Sequence, residues 1–530
     1  MNQVNIIGAG LAGLSAAMTL AEQGFACNLI SLENSERAQS VLAEGGINAA
    51  WDVFDGGRDH PDEHYRDTMK GGCWIADPDA VRGLTSDAPG IVKDLLGLGV
   101  PFHMKNGKLV LRNFGGQKNK RTAYAKSSTG KVIVSALVDR VRKYEAERLV
   151  VRYPHHEFIR IHVEAGNGKK RCTGVRIRDI YTGKLYDCPG IVVLATGGMN
   201  GFFPGMTTGT VSNSGDVTAT VFAQGVRLSN LEMIQYHPTT IGISGKRLLV
   251  TEAARGEGGR LCVMRDGAWW YFMEELYPEL KNLMPRDVIS REMYQVVRRR
   301  DCEAQVYLDM TDLSEEIWQT KLPDMRKELM DYLGLDPKTE RIPVEPGIHY
   351  FMAGMDVDIH HRTNIENLYA AGECTSQYHG ANRLGGNSML GAIRGGKVAA
   401  ADILECAGRG DNVPAPPKET ADRQDAYLRA ASPRFIKEES GILLQGLGIV
   451  RNEPAMREAC GKLEELKQRA FCVRERNRAL LGQAMLQSAL FRKESRGAHY
   501  REDYPDRSDA YKKMTLAEMQ DGRLQIGFKE

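Results

Sequence analysis

The stretch VNIIGAGLAG at residues 4–13 decides the fold of this chain. Four residues typical of a buried strand precede the glycine pattern G-x-G-x-x-G, and an Ala- and Leu-rich segment after it predicts a helix to about Gln23. Gly24 is typical of a helix C-terminal cap, and residues 25–32 predict a second strand. A strand, a helix and a strand in this order predict a parallel, doubly wound sheet.

The spacing of the three glycines indicates a phosphate site. Gly8 allows a tight turn, Gly10 lets the backbone approach a pyrophosphate, and Gly13 lets the helix pack closely on the strand. The helix N-terminus, which includes Leu11 and Ala12, adds free N–H groups and a partial positive charge. We therefore expect a dinucleotide at this turn.

Two later segments favour FAD over NAD as that dinucleotide. ATGG at 195–198 ends one apolar strand, and AAGE at 370–373 ends another. FAD is long and contacts several strand ends of a sheet. An NAD-binding domain would not need further strands of the same fold so far along the chain. The acidic group that usually binds the ribose is displaced here, and either Ser31 or Glu33 could take its place.

Composition excludes several classes of protein. Lys and Arg number 70 against 68 Asp and Glu, so the net charge of +2 argues against a nucleic-acid binder. The sequence has no run of about 18 apolar residues and no basic leader, so we expect neither a membrane-spanning helix nor a signal peptide. The ten cysteines form no C-x-x-C pair, which predicts a reduced cytoplasmic protein without a metal or cluster of its own.

Several longer motifs follow one another along the chain. They are AEGG at 43–46, FGG at 114–116, QYHPT at 235–239, TEAARGEGG at 251–259, PRD at 285–287, HGANRLGGNS at 379–388 and SRGAH at 495–499. On these motifs the whole chain resembles the flavoprotein subunits of succinate dehydrogenases and fumarate reductases, a superfamily that also includes L-aspartate oxidase.

The resemblance implies an α/β fold, with a Rossmann-like FAD-binding domain, an inserted α+β capping domain and a C-terminal helical domain. We expect the FAD-binding domain at residues 1–230 and 346–410, the capping domain at 231–345 and the helical domain at 411–530. A polar linker with Pro414, Pro416 and Pro417 begins the last of these.

One position departs from the pattern of the membrane-bound members. Most of them carry a His five residues before the position of Glu44, and that His bonds covalently to the flavin. Here the position is Gln39, and an amide cannot form this bond. The resemblance therefore implies non-covalent FAD with a lowered potential, which favours fumarate reduction. L-aspartate oxidase also lacks the His, so Gln39 does not separate the two.

The resemblance also implies which residues hold FAD, drawn from many separate stretches of the chain. They are Gly8, Gly10, Leu11, Ala12, Gly13, Ser31, Gln39, Ser40, Ala43, Glu44, Gly45, Gly46, Ala195, Thr196, Gly197, Asp216, Glu373, Asn387, Ser388 and Leu390.

A four-carbon dicarboxylate is the substrate that the resemblance implies. Its two negative charges need cations or strong donors at both ends of a dry cleft. The family pattern assigns His349 and Arg383 to one carboxylate, and His237 and Thr251 to the other. Phe114 either stacks on the substrate or is a core aromatic, and the sequence leaves both open.

The family match assigns proton transfer to Arg286. Arginine is an unusual acid, because its unperturbed pKa is about 12.5 or higher, so a relay must replace the proton at once. Glu252 and Arg255 are three residues apart, and a helix would place them on one face. We therefore predict a proton chain Arg255–Glu252–Arg286 that leads from solvent to the substrate.

Three functions fit these residues. The favoured one is the fumarate reductase or succinate dehydrogenase flavoprotein subunit, which implies a separate iron–sulfur subunit. The chain would then be cytoplasmic, and peripheral on the inner face of the membrane through partner subunits only. The second is L-aspartate oxidase, which makes iminoaspartate for NAD biosynthesis. The third, a non-catalytic FAD-binding assembly protein, is disfavoured by the intact substrate set.

Two stretches separate the first two functions. Residues 115–122 and GAIRGG at 391–396 are more similar to the reductase branch. Aspartate oxidases usually carry an Arg-rich stretch with a His near 117–124, and this chain has no His there.

Overall fold

The computed structural model describes residues 3–51, 59–125, 128–166, 168–407, 418–420 and 425–529. The predicted boundary at 410/411 and the linker prolines Pro414, Pro416 and Pro417 lie outside the described residues, as do the first two residues of the chain. Among the helices that are described, none is long and apolar enough to cross a membrane.

Strands and helices alternate along most of the chain. The strands are β1 (Val4–Ile7), β2 (Cys27–Ser31), β3 (Ile47–Asn48), β4 (Met104–Lys105), β5 (Lys108–Leu109), β6 (Leu111–Arg112), β7 (Thr122–Ala123), β8 (Val150–Pro154), β9 (His156–Gly166), β10 (Lys169–Asp179), β11 (Leu185–Pro189), β12 (Ile191–Leu194), β13 (Leu228–Ser229), β14 (Ile234–Ile243), β15 (Lys246–Leu249), β16 (Arg260–Arg265), β17 (Ala268–Trp270), β18 (Cys302–Asp309), β19 (Ile342–Phe351), β20 (Gly354–Met355), β21 (Leu368–Ala370), β22 (Lys418–Thr420), β23 (Thr515–Gln520) and β24 (Arg523–Phe528). The α-helices are α1 (Leu11–Glu22), α2 (Pro61–Gly71), α3 (Pro78–Gly97), α4 (Thr129–Ala146), α5 (Asp216–Ala223), α6 (Ala253–Gly256), α7 (Phe272–Leu276), α8 (Arg286–Val296), α9 (Glu315–Thr320), α10 (Pro323–Leu333), α11 (Asn387–Ala407), α12 (Pro433–Gly446), α13 (Glu453–Gln468) and α14 (Val473–Phe491).

The first strand is the centre of a five-stranded parallel sheet with the order β21-β12-β1-β2-β8. All four side chains of β1 are buried, because the helices α1, α4 and α11 pack together on one face of this sheet and the β9–β11 sheet covers the other. The predicted strand–helix–strand opening is confirmed. β12 and β21 are neighbours, so the strand ends at 195 and 371 meet the glycine turn at one edge of the sheet.

A six-stranded antiparallel sheet forms most of the segment predicted as the capping domain. Its order is β15-β14-β19-β18-β16-β17, and it encloses its own apolar core with α7 to α10. β19 runs from Ile342 to Phe351, so one strand crosses the predicted boundary at 345/346. The two paired strands β14 and β19 therefore connect the capping domain to the FAD-binding domain.

The C-terminal segment contains the predicted helices and also a hairpin. Helices α12 to α14 pack on one another, and their apolar side chains join the core of the FAD-binding domain. Beyond them, β23 and β24 pair with each other, and β23 also pairs with β13 of the FAD-binding domain. The expectation of a mostly helical end missed this hairpin, whose strands take their partner from residues 228–229, far back in the chain.

Candidate active site

A long cleft runs along the carboxyl ends of β1, β2, β12 and β21 and continues under the cap sheet. It holds about 1970 Å³ of empty space, its open mouth included. Residues from the glycine turn, the AEGG motif, the ATGG motif, the cap and α11 all line it. Ligands of open α/β sheets bind at this edge, so the location agrees with the predicted dinucleotide site.

Two glycines at the turn have no room for a side chain. A Cβ on Gly8, whose φ is +113°, would lie 2.1 Å from the carbonyl oxygen of Ala195. A Cβ on Gly13 would lie 1.8 Å from the carbonyl oxygen of Gly8. The glycines therefore let β1, β12 and α1 approach closely enough to leave a backbone-lined groove for a phosphate.

Most of the residues predicted to hold FAD line this cleft. They are Gly8, Gly10, Leu11, Ala12, Ser31, Gln39, Ser40, Ala43, Glu44, Gly45, Gly46, Ala195, Thr196, Gly197, Asp216, Glu373 and Ser388. Glu33, the alternative to Ser31, lines it as well, so both ribose candidates lie at the end of β2.

Three predicted FAD residues lie behind the cleft wall. Gly13 packs against the glycine turn, and Leu390 is fully buried in the core under the sheet. The side chain of Asn387 bonds to protein groups: its Nδ2 donates to Thr68 Oγ1 at 3.0 Å, and its Oδ1 accepts from Asn48 Nδ2 at 2.8 Å. These positions support the cleft instead of facing it.

The cleft offers unused polar groups to a ligand. Within the described residues, Thr196 Oγ1 and Arg383 Nε are buried and have no hydrogen-bond partner. Burial raises the pKa of Glu373 to about 7, although Phe351 N donates to its Oε1 at 3.1 Å. Buried polar groups are normally satisfied, so these atoms fit a site that a polar ligand such as FAD completes.

The cap end of the cleft brings the predicted substrate residues together. His237, Thr251, Arg286, His349 and Arg383 all line it, and the two imidazole rings lie 5.1 Å apart between centroids. Sequence positions separated by about 150 residues therefore form one cluster. Phe114 lines the same end, where its ring would lie 2.9 Å from a Cβ on Gly45.

The two histidines are neutral donors or acceptors here. Burial, and next the guanidinium group of Arg286, hold the pKa of both His237 and His349 well below the ordinary value. Thr208 Oγ1 lies 2.8 Å from Nδ1 of His349, a contact that the sequence analysis missed. A threonine in a loop carries no signal of such a contact, and the two residues are 141 positions apart.

Arg383 is a buried cation at this end. Its side chain stacks over the ring of Tyr350, with the guanidinium carbon 4.3 Å from the ring centroid. Burial, and next the charge on Arg286, lower its pKa to about 10. Two guanidinium groups side by side in a buried cleft are costly unless an anion lies between them, so the arrangement favours an anionic ligand.

Arg286 and Glu252 form a close buried pair. Glu252 Oε2 accepts from Arg286 Nη2 at 2.5 Å and from its Nε at 3.0 Å, while Arg286 Nη1 donates to Gln235 Oε1 at 3.0 Å. Burial raises the pKa of a carboxyl, yet Arg286 and Arg255 together hold that of Glu252 at about 2. Glu252 is therefore ionised and fixes the orientation of Arg286.

Arg255 reaches Glu252 but does not reach solvent. Its Nη2 lies 3.7 Å from Glu252 Oε1, and its Nη1 donates to the carbonyl oxygen of Asn282 at 2.7 Å. Its side chain is fully buried, and burial lowers its pKa to about 10. The three side chains of the predicted proton chain are therefore in contact with one another. The expectation that the chain begins at solvent was wrong, because Arg255 is buried.

Comparison with known proteins identifies the family. Residues 3–389 match the model of the FAD binding domain, and residues 440–530 match that of the fumarate reductase flavoprotein C-terminus. The succinate dehydrogenase flavoprotein subunit of Bacillus subtilis is 34% identical, with 97% of this chain and 94% of the relative covered. The chain belongs to the succinate dehydrogenase and fumarate reductase flavoprotein family. It is thus an FAD-dependent oxidoreductase that acts on CH–CH groups.

Other family members are similar over more than nine tenths of their length. The fumarate reductase flavoprotein subunit of Haemophilus influenzae is 32% identical, with 97% of this chain and 91% of the relative covered. A solved structure of E. coli quinol fumarate reductase FrdA, carrying one substitution, superposes with a TM-score of 0.86 at 29% identity and covers 100% of this chain and 97% of that chain. The predicted α/β fold with an FAD-binding domain is confirmed.

Gln39 takes part in a backbone contact at the mouth of the flavoprotein cleft. Its Oε1 accepts from the backbone N–H of Thr210 at 2.6 Å. The amide side chain thereby joins the AEGG region to the loop before α5, and it offers no nucleophilic nitrogen for a bond to the flavin.

The prediction that FAD is bound non-covalently can be tested directly. Acid precipitation of the purified flavoprotein is expected to leave all flavin in the supernatant, because the side chain at position 39 is an amide. Absorbance of the supernatant, and flavin fluorescence of the denatured protein on a gel, measure the two fractions. Flavin that stays with the precipitated chain would contradict the prediction.

Proposed function

We propose that this chain interconverts fumarate and succinate, with a bias towards fumarate reduction. The observation that carries the proposal is the cap end of the cleft, where two guanidinium groups, two neutral imidazoles and a threonine hydroxyl surround one space beside the FAD groove. Such a set of donors complements a small molecule with a carboxylate at each end.

Charge supports a dianionic substrate. Three buried guanidinium groups, those of Arg255, Arg286 and Arg383, face one buried carboxylate, that of Glu252. The two histidines add no charge, so positive charge exceeds negative charge in this cluster. A four-carbon dicarboxylate neutralises this excess, with His349 and Arg383 at one carboxylate and His237 and Thr251 at the other.

Arg286 is the proposed proton donor to the substrate carbon. Two of its nitrogens are fixed by the single oxygen Oε2 of Glu252, and the third is fixed by Gln235. This geometry leaves the guanidinium group little freedom to move. General acid catalysis requires that the acid is held in such a fixed position. Glu252 contacts both Arg286 and Arg255, and these contacts support our proposal that it passes a proton from Arg255 to Arg286. The chemistry that bound FAD supplies is hydride transfer at N5.

The proposal includes an electron-transfer partner and a location. The support for a partner comes from the family, since FAD must be reduced before fumarate can be. Relatives are named as subunits of fumarate reductases and succinate dehydrogenases. We propose an iron–sulfur subunit as the donor and a cytoplasmic location, with membrane association only through partner subunits.

An anaerobic assay of the purified flavoprotein tests the function. With reduced viologen as the electron donor, addition of fumarate is expected to oxidise the viologen to its colourless form. Succinate, assayed with an oxidised acceptor dye, is expected to react more slowly. L-aspartate is expected to give no turnover with either dye. Turnover with L-aspartate alone would make the chain an L-aspartate oxidase. If fumarate, succinate and L-aspartate all gave no turnover, the chain would be neither a fumarate reductase or succinate dehydrogenase subunit nor an L-aspartate oxidase.

The Thr208–His349 contact leads to a prediction about substrate affinity. A hydroxyl that donates to Nδ1 leaves the proton of the neutral imidazole on Nε2, where it can donate to a carboxylate. Thr208→Val keeps the shape and removes the hydroxyl, so KM for fumarate is expected to rise about 10-fold. Thr208→Ser is expected to retain wild-type KM, and steady-state kinetics of the three proteins measure the difference. An unchanged KM in Thr208→Val would show that the hydroxyl does not set the tautomer.

A further inference from the structure

We propose that Arg474, a residue of the C-terminal helix α14, binds the adenosine half of FAD. The side chain lines the FAD cleft and is 4% exposed, although it comes from the segment that follows both sequence stretches of the FAD-binding domain. Its Nη2 is buried and has no hydrogen-bond partner within the described residues. The C-terminal helical segment would thereby complete the cofactor site.

The position of Arg474 in the cleft identifies the part of FAD concerned. In dinucleotide folds the ribose of the adenosine lies at the end of the second strand, which here is β2. β8 pairs with β2 in parallel, and Pro154 lies opposite Ser31. His156 and Glu157 follow directly and line the cleft beside the end of β2. The carboxylate of Glu157 pairs with Arg474, which places the guanidinium group at this end of the cleft.

Two of the three nitrogens of Arg474 have protein partners that fix the third. Nε donates to the carbonyl oxygen of Tyr427 at 2.6 Å, and Nη1 forms the ion pair with Glu157. Arg178 binds the other oxygen of the same carboxylate, so Glu157 is itself held in place. The planar guanidinium group is therefore oriented, and Nη2 is its one nitrogen without a hydrogen-bond partner among the described residues.

A buried donor without a partner is unfavourable, and a ligand that accepts from it removes this cost. Adenosine offers ring nitrogens and ribose oxygens as acceptors, and its base offers a flat face on which a guanidinium plane can stack. Both properties match a fixed Arg at the adenosine end. Neither depends on the dicarboxylate, so the inference is independent of the proposed reaction.

Cofactor binding to flavin-free protein tests the inference. The protein is prepared from riboflavin-limited cells, and titration with FAD and with FMN is followed by quenching of flavin fluorescence. Arg474→Gln is expected to raise the dissociation constant for FAD about 10- to 100-fold, the range for losing a hydrogen bond from a charged group. Binding of FMN, which lacks the adenosine half, is expected to stay at the wild-type value.

Two further variants keep the test decisive. Arg474→Lys keeps the charge next to Glu157 but lacks the second terminal nitrogen, so it is also expected to weaken FAD binding. This variant carries the test if Arg474→Gln fails to fold. Arg476→Gln alters an exposed residue of the same helix and is expected to bind both flavins as the wild type does. Wild-type FAD affinity in the Arg474 variants, or an equal loss of FAD and FMN affinity, would overturn the inference.

Discussion

Arg286→Gln is expected to lower kcat for fumarate reduction about 1000-fold or more, while the protein keeps its full content of FAD. Glutamine removes the proposed acid, and general acid catalysis alone contributes about 100- to 10,000-fold. It also leaves the ionised Glu252 without the two hydrogen bonds that Arg286 donates to it. Oxidation of reduced viologen under anaerobic conditions measures kcat, and the flavin spectrum measures FAD content.

A matched variant on the same helix controls for this substitution. Arg291, also in α8, stacks over the ring of Tyr500 at 4.8 Å and does not line the cleft. Arg291→Gln is expected to keep wild-type kcat. Turnover above about a tenth of the wild-type value in Arg286→Gln would exclude this side chain as the proton donor.

Arg383→Gln is expected to lower kcat/KM for fumarate by about 30- to 5000-fold, mainly through KM. Removing one partner of a buried charge pair costs about 2–5 kcal/mol, and the lost partner here is the cation that we propose lies opposite a substrate carboxylate. The effect on kcat is expected to be smaller, because Arg286 and Glu252 keep their contacts. Initial rates over a wide range of fumarate concentrations separate the two parameters.

A lysine of the same helical region serves as the control for Arg383. Lys397 in α11 pairs with Asp94 at 2.6 Å and lies outside the cleft. Lys397→Gln is expected to leave both kinetic parameters unchanged. If Arg383→Gln lowered only kcat and left KM at the wild-type value, the side chain would act in the chemical step and not in substrate binding.

Local sequence patterns predicted the parts of the fold that neighbouring residues determine. The first 32 residues contain a strand, a glycine turn, a helix and a strand, and each has its own signal in composition and spacing. The glycine-containing segments 195–198 and 370–373 also marked two strand ends for the dinucleotide, and the structure shows that these strands, β12 and β21, are neighbours. The residues of the catalytic cluster came from the family resemblance, since no spacing rule connects Arg286 to Arg383.

The features that the sequence did not predict depend on distant partners. Asn387 lies within a motif that suggested FAD, yet its amide binds Asn48 and Thr68, because helix α11 begins with this side chain turned away from the cleft. Arg255 was expected near the surface, and the cap core buries it completely. The partners of these side chains lie far away in sequence, so no local pattern indicates them.

The pairing of β23 with β13 has a consequence for when the fold is completed during biosynthesis. Residues 515–520 must leave the ribosome before they can join residues 228–229, and α14 also emerges late. The four-stranded sheet β20-β13-β23-β24 can therefore form only when translation is nearly finished. A chain that ends before residue 515 would leave β13 at the edge of the sheet, and such truncated products are expected to associate through this edge.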